Sequence, residues 1–304
     1  MPDKKPFITA ISLTMADLQG TAGYSIHYGG HNIMNGLRWD CHMHSSFSGD
    51  SETPMKQMIG QAIDLGLSGI TFTEHLDLDY PPIPDDVDFS LDIASYRRQL
   101  RAFQEEYEGR IGLRFGVELG LQPHLAGQLH EILALGDFDF VIGSSHVAHR
   151  RDPYYPSFFE GRSEYEAYRE YFESILENIQ AFSEMDVYGH LDYIVRYGPE
   201  KNRNFSYETY RDILDEILLS LVQKGVGIEL NSSGFHYGLG EPNPCTDIIR
   251  RYRQLGGEII TVGADAHVPD RIAYAFDKAE AVLKSCGFTY YTVFRERKPE
   301  FLKL

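Results

Sequence analysis

A His-x-His pair, His42 and His44, stands at the end of the apolar run 37–42, which is typical of a β-strand. Alternate residues of an extended chain point to the same side, so the two imidazoles can bind one metal ion. Asp50 follows in a Ser- and Gly-rich loop that can fold back toward the same place. We therefore expect this stretch to contribute three ligands to a metal site, provided that later segments supply more.

Later predicted strands also end in residues of metal-binding type. With the first three, the candidate ligands are six histidines and three carboxylates: His42, His44, Asp50, His75, Glu118, His146, His190, Asp265 and His267. The carboxyl ends of the strands are the face where barrel enzymes build their sites. A single histidine there is more often a hydrogen-bonded loop residue. However, six of the chain's 12 histidines fall at strand ends, where they bring no packing advantage. We therefore predict one shared metal site.

From residue 37 onward the sequence repeats a β-branched run, a polar turn and a segment of helical periodicity. The predicted strands are 37–42, 69–74, 112–118, 138–143, 186–189, 226–231 and 258–264, and the run 289–294 is either an extra strand or a closing edge. Helices are predicted from Thr53-Pro54 to Gly66, over 97–107 and 164–182, from Ser206 to Gly225 and from Pro269 to Leu283. Strands that alternate with helices over about 260 residues indicate an α/β fold with a parallel sheet, closed into one barrel.

The composition excludes several classes of partner. A net charge of −17 leaves no basic stripe to meet the phosphates of a nucleic acid or an anionic membrane. No apolar run approaches the ~20 residues of a membrane-spanning helix. The three cysteines, Cys41, Cys245 and Cys286, are widely spaced and typical of reduced thiols in a cytoplasmic protein. We expect a small-molecule substrate, no nucleic acid and no membrane, and the sequence leaves a homo-oligomer open.

Residues 1–36 are predicted to form an N-terminal extension, and residues 37–304 to form the barrel. Lys4 and Lys5 precede a short apolar stretch that faintly resembles a signal peptide, but Asp17 interrupts it. Met34 stands just before the first strand, so the upstream segment is either an appended arm or the product of an over-long start. A cytoplasmic location is the prediction, and export is the minor alternative.

The balance of charge in the predicted site indicates the chemistry. Three divalent ions against three carboxylates would leave a net charge of about +3, which suits a phosphate dianion. Nitrogen and oxygen ligands without thiolate fit zinc, iron or manganese, and the sequence does not choose among them. Glu118 is the natural bridging ligand, because a carboxylate has two oxygens and a neutral imidazole has one free nitrogen.

The ordered motifs resemble the polymerase-and-histidinol-phosphatase (PHP) superfamily. They are the His-x-His pair, Glu74-His75, Glu118, His146, His190 and Asp265-x-His267, and the resemblance covers residues 37 to about 290. Within the superfamily the chain is most similar to the histidinol-phosphate phosphatases, through Asp50, the segment 190–197 and Asn231-Ser232-Ser233-Gly234. One departure is that Phe235-His236-Tyr237 stands where many relatives are expected to have an arginine. This departure leaves phosphate binding at that point, and hence the identity of the substrate, less secure.

The resemblance implies a distorted TIM-like barrel of seven βα units with three metal ions at the carboxyl ends of the strands. It implies three ligand sets: His42, His44, Glu118 and Asp265; Glu118, His146 and His190; and Asp50, His75 and His267. It also implies hydrolysis of L-histidinol phosphate to L-histidinol and phosphate, a step of histidine biosynthesis, by a metal-bridging hydroxide that attacks phosphorus.

Other polar residues are candidates for contacts with the substrate. Arg196 is the first choice for a phosphate clamp, because guanidinium pairs well with phosphate, and Arg162 and His149 are weaker candidates. A salt bridge between Arg196 and Asp192 is the structural alternative, and Asp192 could instead orient a ligand imidazole. Proton donation to the leaving group is assigned to Asp265 or His236, without a ranking. The acidic loop around Asp77 and Asp79 would attract an ammonium group, or it is simply a solvated face.

Three other functions remain open. A related phosphoesterase would act on another small ester, such as a nucleotide. A barrel metal amidohydrolase also uses His-x-His, but it requires a lysine in strand four, and none occurs in 112–146. A non-catalytic metal-binding module would be expected to have lost ligands, and none of the nine candidates is missing.

Overall fold

The computed structural model describes residues 36–82 and 87–304, together with the backbone of 27–28 and 31–32. Most of the predicted N-terminal extension therefore lies outside the described residues. Seven strands pair in parallel in the order of the chain. They are β1 (Trp39–Met43), β2 (Gly69–Leu76), β3 (Gly112–Gly120), β4 (Phe140–Ser144), β5 (Val187–Tyr188), β6 (Gly227–Asn231) and β7 (Ile260–Gly263). All seven lie within two residues of their predicted positions.

The first and last strands approach each other at their carboxyl ends. Asp265 N donates to His42 O at 2.8 Å, and His44 N donates to Ala266 O at 2.9 Å. Met43 and Ala266 form an isolated parallel bridge. The sheet is therefore a nearly closed, TIM-like (β/α)7 barrel, and the predicted fold class is confirmed. The closure lies at the end of the barrel where the candidate ligands are found.

The predicted run 289–294 forms a closing edge. It is β8 (Tyr290–Arg295), and it pairs antiparallel with β9 (Lys298–Lys303) in a separate two-stranded sheet. The Thr292 hydroxyl accepts a bond from Ile260 N (3.2 Å), and Thr292 O accepts one from Cys41 Sγ (3.8 Å). The hairpin thus covers the seam between β7 and β1 without joining the parallel sheet.

Helices connect the strands on the outside of the barrel. They are α1 (Met55–Asp64), α2 (Ile93–Glu106), α3 (Ala126–Leu135), α4 (Glu164–Ala181), α5 (Arg211–Lys224), the short α6 (Ser233–His236), α7 (Thr246–Gln254) and α8 (Phe276–Ser285). The prediction of a helix starting at Pro269 was wrong. Residues Pro269–Arg271 form a 3₁₀ turn, and Ala273 and Ala275 have φ of 53° and 54°, so the chain reverses before α8 begins.

The strands are buried on both faces, as expected for a parallel sheet covered by helices. Helix α4 shows how the cover is built, because it buries Tyr168, Tyr171, Phe172 and Ile175 along one side. Burying each such side chain stabilises the fold by about 1.5–3 kcal/mol. The carboxyl ends of the strands are therefore fixed by a continuous core. No helix in the described part of the chain is both long and apolar enough to cross a membrane.

Candidate metal centre

All nine predicted ligands lie together at the carboxyl ends of the strands. His42, His75 and Glu118 lie within β1, β2 and β3, and the others follow β1, β4, β5 and β7 in short loops. Asp265 directly follows its strand region with φ of 55°, a left-handed conformation that aspartate tolerates better than most residues. Seven of the nine side chains come from strands or from the two residues after them, so the core fixes their positions.

Glu118 is the centre of the group. Its Oε2 lies 3.1 Å from His42 Nε2 and 3.2 Å from His75 Nδ1. Its Oε1 lies 2.9 Å from His190 Nε2 and 3.2 Å from His146 Nε2. His44 Nε2 lies 3.4 Å from Oε2 as well, so the fully buried carboxylate faces five rings, three on Oε2 and two on Oε1. This arrangement is compatible with the bridging role predicted for Glu118.

His42 and His44 present unprotonated nitrogens to each other. His42 Nδ1 lies 2.6 Å from a carboxylate oxygen of Glu229, which can only accept, so the neutral ring carries its proton on Nδ1. The Ser48 hydroxyl donates to Glu74 and accepts from His44 Nδ1 (2.9 Å), which leaves His44 Nε2 bare as well. The two Nε2 atoms are 3.1 Å apart. Two nitrogens bound to one tetrahedral zinc ion at about 2.0–2.1 Å would have a similar separation.

His146 and His267 are held in the same way. His146 Nδ1 lies 2.8 Å from Asp77 Oδ1, and its Nε2 lies 3.2 Å from Glu118. His267 Nδ1 donates to the backbone carbonyl of Asp265 (3.0 Å), and its buried Nε2, 3.2 Å from Asp50, has no hydrogen-bond partner. When they are neutral, these four rings direct lone pairs toward each other or toward carboxylates. A cation resolves such contacts, so these residues fit a metal site.

The remaining two histidines, His75 and His190, are buried but are held by fewer side-chain hydrogen bonds. His75 Nδ1 and His190 Nδ1 are buried and have no hydrogen-bond partner. His75 Nε2 lies 3.6 Å from Asp50 Oδ2, at the exposed side of the group. Its ring stacks on that of His44, with centroids 4.1 Å apart. The Nδ1 atom of either ring could therefore face a bound ion without losing a hydrogen bond.

Donor atoms that could hold one ion form three overlapping sets. They are His44, His75 and His267; His42, His44 and Glu118; and His75, Glu118 and His146, with the atoms of each set within 4.8 Å of one another. These sets differ in membership from those that the family resemblance implies. The geometry therefore supports a metal site, and both the number of ions and the assignment of each residue to an ion stay predictions.

The sequence analysis missed the carboxylate that orients His42. Glu229 lies in β6, is fully buried, and also accepts hydrogen bonds from His190 N (3.0 Å) and Asn231 Nδ2 (3.1 Å). Gly263 makes this approach possible, because a Cβ there would lie 2.3 Å from His42 Cβ and 2.6 Å from Glu229 Oε1. A single carboxylate inside the apolar run 226–231 was the available signal, since an unpaired charge is costly in a buried strand.

Asp77 and Glu74 orient ligand rings as well. Asp77 holds His146, and Glu74 accepts from Ser45 Oγ (2.5 Å) and Ser48 Oγ (2.7 Å), the second of which carries His44. Asp77 therefore contacts a candidate ligand ring, and its attraction for a substrate ammonium stays a prediction. Asp79 is exposed and pairs with His124 (2.9 Å) and Arg150 (3.2 Å).

Charges among the site's own groups shift their pKa values strongly. Burial lowers the pKa of His42, but Glu229 and Glu118 outweigh it and hold the pKa well above its usual value. Burial and the neighbouring rings of His75 and His267 hold the pKa of His44 well below its usual value. Burial raises the pKa of Glu118, yet the surrounding imidazoles reverse that effect and keep the carboxylate ionised. Without a bound cation the carboxylates therefore favour a proton on His42, as they also do on His146 and His267, and a metal ion at the same nitrogens would replace those protons.

Arg196 lies in the 3₁₀ turn Tyr193–Arg196 and is buried. Its Nε donates to Asn243 Oδ1 (2.8 Å), its Nη1 donates to Asp265 Oδ2 (3.2 Å), and its buried Nη2 has no partner. Asp192 does not form the salt bridge considered above. It accepts from Asn243 Nδ2 (2.6 Å) and Cys245 N (2.9 Å), and thus supports Arg196 through Asn243.

The other proposed contact residues lie farther from the ligands. His236, in α6, is exposed and shares a cavity of about 230 Å³ with Asp265 and His267. His149 is exposed and lies 3.2 Å from Glu170. Arg162 pairs with Glu170 and lies over the Phe158 ring. The structure therefore brings His236 beside the site but places neither His149 nor Arg162 among the residues that line its cavity.

The ligands open into a cavity of about 90 Å³. Its walls combine ligand side chains, Arg196 and a row of aromatic rings: Asp50, His75, Asp77, Tyr80, Phe89, His146, His190, Tyr193, Arg196, Tyr197, Tyr237, Asp265 and His267. A small anion that enters this cavity would meet the candidate metal ligands on one side and Arg196 on another.

Two curated proteins are similar to this chain over most of its length. A histidinol-phosphatase from Lactococcus lactis is 33% identical over 260 residues, which cover 85% of this chain and 95% of the relative. A probable histidinol-phosphatase from Clostridium acetobutylicum is 30% identical over 255 residues, 82% of this chain and 94% of the relative. These alignments extend over nearly the whole length of both relatives.

Solved structures agree with the sequence comparison. A crystal structure of the histidinol phosphate phosphatase from Lactococcus lactis, complexed with zinc, L-histidinol and phosphate, superposes with a TM-score of 0.81 at 32% identity. It covers 87% of this chain and 99% of that protein. A crystal structure of a protein from Listeria monocytogenes, at 17% identity and a TM-score of 0.70, shares the fold. The sequence profile of the PHP domain matches residues 40–233, and the chain belongs to the PHP domain family.

Proposed function

We propose that the protein is a metal-dependent phosphatase that hydrolyses L-histidinol phosphate to L-histidinol and phosphate. The observation that carries the proposal is the convergence of bare imidazole nitrogens on Glu118 in the same cavity as the unpartnered Arg196 guanidinium. The first feature suits divalent cations, and the second suits a phosphate oxygen. The names of the Lactococcus lactis relative and of its structure support the choice of substrate.

We assign the ions to the three ligand sets that the family resemblance implies. Glu118 would be shared by the ion of His42, His44 and Asp265 and by the ion of His146 and His190. Asp50, His75 and His267 would hold a third ion on the more exposed side. Bound zinc, iron or manganese would stabilise the phosphoryl oxygens as a Lewis acid and activate water.

Arg196 would orient the phosphate. Its Nε and Nη1 are held by Asn243 and Asp265, so the guanidinium is fixed before substrate binds. The rings of Tyr193 and Tyr237 lie 5.3 and 4.8 Å from its Cζ and restrict its rotation further. A donor held in advance costs little reorganisation when negative charge develops on the phosphoryl oxygens. The free Nη2 would then donate to the substrate.

The proton for the leaving alkoxide would come from His236 rather than from Asp265, because His42, His44 and Arg196 outweigh the effect of burial and hold the pKa of Asp265 well below its usual value. His236 and Asp265 both line the cavity of about 230 Å³ that adjoins the ligands. Burial and the nearby Arg271 lower the pKa of His236, which favours the neutral ring in the absence of substrate. A phosphate dianion nearby would raise the pKa of His236 again and allow the ring to carry a proton.

We also propose that the protein works in the cytoplasm. Cys41, Cys245 and Cys286 are all free thiols in the structure. Free cysteines suit a reducing compartment, where disulfide bonds rarely persist.

The test is a panel of substrates assayed with and without a chelator. It contains L-histidinol phosphate, nucleoside monophosphates, other phosphate monoesters, amides and lactones. We expect phosphate release from L-histidinol phosphate well above the other esters, and loss of that activity with the chelator. A preference for a nucleotide would favour the related phosphoesterase function. Activity on amides alone would refute the proposal.

A further inference from the structure

A second chamber adjoins the cavity of the metal centre. It has a volume of about 270 Å³ and is lined by Asp50, Tyr80, Val87, Phe89, Asp152, Tyr154, Tyr155, Tyr193, Tyr197 and Tyr237. Six of these residues also line the ligand cavity, so the two spaces lie side by side. A phosphate at the metal centre would therefore place the organic part of its ester within reach of this chamber.

Asp152 is the buried charge of the chamber. The residue is 7% exposed, and its Oδ2 accepts a hydrogen bond from the Tyr80 hydroxyl at 2.7 Å. Its Oδ1 accepts from Tyr154 N, also at 2.7 Å. Both donors are neutral, and no Lys, Arg or His in the described part of the chain forms an ion pair with it. A carboxylate accepts about four hydrogen bonds, so Asp152 can still accept bonds from a ligand.

The charged side chains that line the chamber are all carboxylates. Burial raises the pKa of Asp152, while the bonds from Tyr80 and Tyr154 lower it in part. The lining of the chamber includes a second carboxylate, Asp50, and no cationic side chain. The more exposed Asp79 lies outside the lining and already has basic partners. A ligand cation in the chamber would therefore supply the counter-charge that Asp152 lacks.

The walls of the chamber also suit a cation. The rings of Tyr80 and Phe89 are 4.7 Å apart, and Tyr197 lies 5.2 Å from Tyr154 and 5.0 Å from Tyr193. The faces of aromatic rings attract ammonium groups electrostatically. They also provide apolar area for a flat heterocycle.

We propose that Asp152 recognises the protonated amine of the substrate's organic half, and that this chamber selects phosphate monoesters of amino alcohols. This inference rests on the proposed function, because it takes phosphate binding at the metal centre as given. Asp152 would act as a specificity-determining residue, and it has no part in the chemical step. The phosphate would contact Arg196 and the ions, and the amine would contact a carboxylate in the adjoining space.

The test compares two esters that differ in one group. L-Histidinol phosphate carries the amine, and 3-(imidazol-4-yl)propyl phosphate lacks it. The zinc-loaded full-length protein is assayed as wild type, as Asp152→Asn, and as Asp79→Asn, a control that removes one charge near the rim but outside the chamber. A hydrogen bond to a charged group predicts that wild type prefers the amine ester by about 10- to 100-fold in kcat/KM. Asp152→Asn should remove most of that preference, mainly through KM, and leave the deamino ester almost unaffected.

Each outcome decides between the two proposals. If wild type hydrolyses both esters equally, or if Asp152→Asn slows both by the same factor, the role of Asp152 is refuted while the phosphatase function stands. If neither ester is hydrolysed, the proposed function fails, and calorimetric titration with L-histidinol and 3-(imidazol-4-yl)propan-1-ol still tests the chamber. Weaker binding of L-histidinol to Asp152→Asn than to Asp79→Asn would support recognition of the amine. Equal affinity of wild type for the two alcohols would overturn it.

Discussion

The substitution Glu229→Gln tests how the protein prepares His42 to bind a metal ion. Glu229 accepts from His42 Nδ1 on one oxygen, and from His190 N and Asn231 Nδ2 on the other. A glutamine has one oxygen and one NH₂ group in nearly the same volume. If the NH₂ faces His42, the ring must accept at Nδ1, and its proton moves to Nε2, the atom that faces Glu118. If the oxygen faces His42, the NH₂ meets two other donors.

Either orientation leaves one buried polar contact unsatisfied, at a cost of about 1–3 kcal/mol. Changes to a group that orients a metal-bound histidine typically weaken metal affinity by about 10- to 100-fold. A factor of ten corresponds to about 1.4 kcal/mol, so the two ranges agree. We therefore expect the apparent dissociation constant for zinc to rise by about 10- to 100-fold.

The assay is a zinc titration against a competing chelator, followed by activity at each free zinc concentration. Glu229→Gln should reach a near-normal rate only at the higher zinc concentrations. The exposed Glu258, whose side chain is 75% accessible, provides a matched control as Glu258→Gln, which should behave as wild type. If Glu229→Gln bound zinc with wild-type affinity, the tautomer argument for His42 would be wrong. A loss of activity that zinc cannot restore would also contradict it.

Three further predictions concern the same site. Glu118→Ala should abolish turnover and lower the zinc content measured by elemental analysis, because it removes a carboxylate in contact with five rings; normal rates would exclude a bridging role. Arg196→Ala should lower kcat/KM for L-histidinol phosphate by about 10²–10³-fold with zinc content unchanged, and an unaltered kcat/KM would remove Arg196 from phosphate binding. A chelator should lower the melting temperature in calorimetry, because ions that bind only the folded state stabilise it; an unchanged melting temperature would argue against bound ions.

The strands and the candidate ligands could be predicted because both follow local patterns. A buried parallel strand appears in sequence as a short β-branched run, and a site at the barrel face appears as polar residues just after such runs. The runs around Ile70 and Ile228 are examples. Where the chain departs from these patterns, the prediction failed. The helix expected at Pro269 starts only at Phe276, because tertiary contacts hold Ala273 and Ala275 in left-handed conformations that no local signal announces.

The groups that orient the ligands could not be predicted in the same way. Glu229 and Asp77 act through contacts between strands, and their sequence gives no direction for their side chains. Asp152 lies in a long loop whose path depends on its packing against Tyr80, 72 residues earlier in the chain. Arg196 was identified from its chemistry, but its partner is Asp265, which is distant in sequence, whereas the neighbouring Asp192 was the expected one. These contacts join segments that are distant in sequence, so they could be identified only from the structure.

The central claim is that divalent ions bind where the bare nitrogens of His42 and His44 meet the carboxylate of Glu118. Anomalous X-ray diffraction from crystals of the zinc-loaded protein tests it most directly. We predict a strong peak about 2.0–2.1 Å from both Nε2 atoms and about 2.0–2.2 Å from an oxygen of Glu118, with further peaks near His146 and His267. Crystals grown with zinc in excess that show no anomalous density at these residues would contradict the claim.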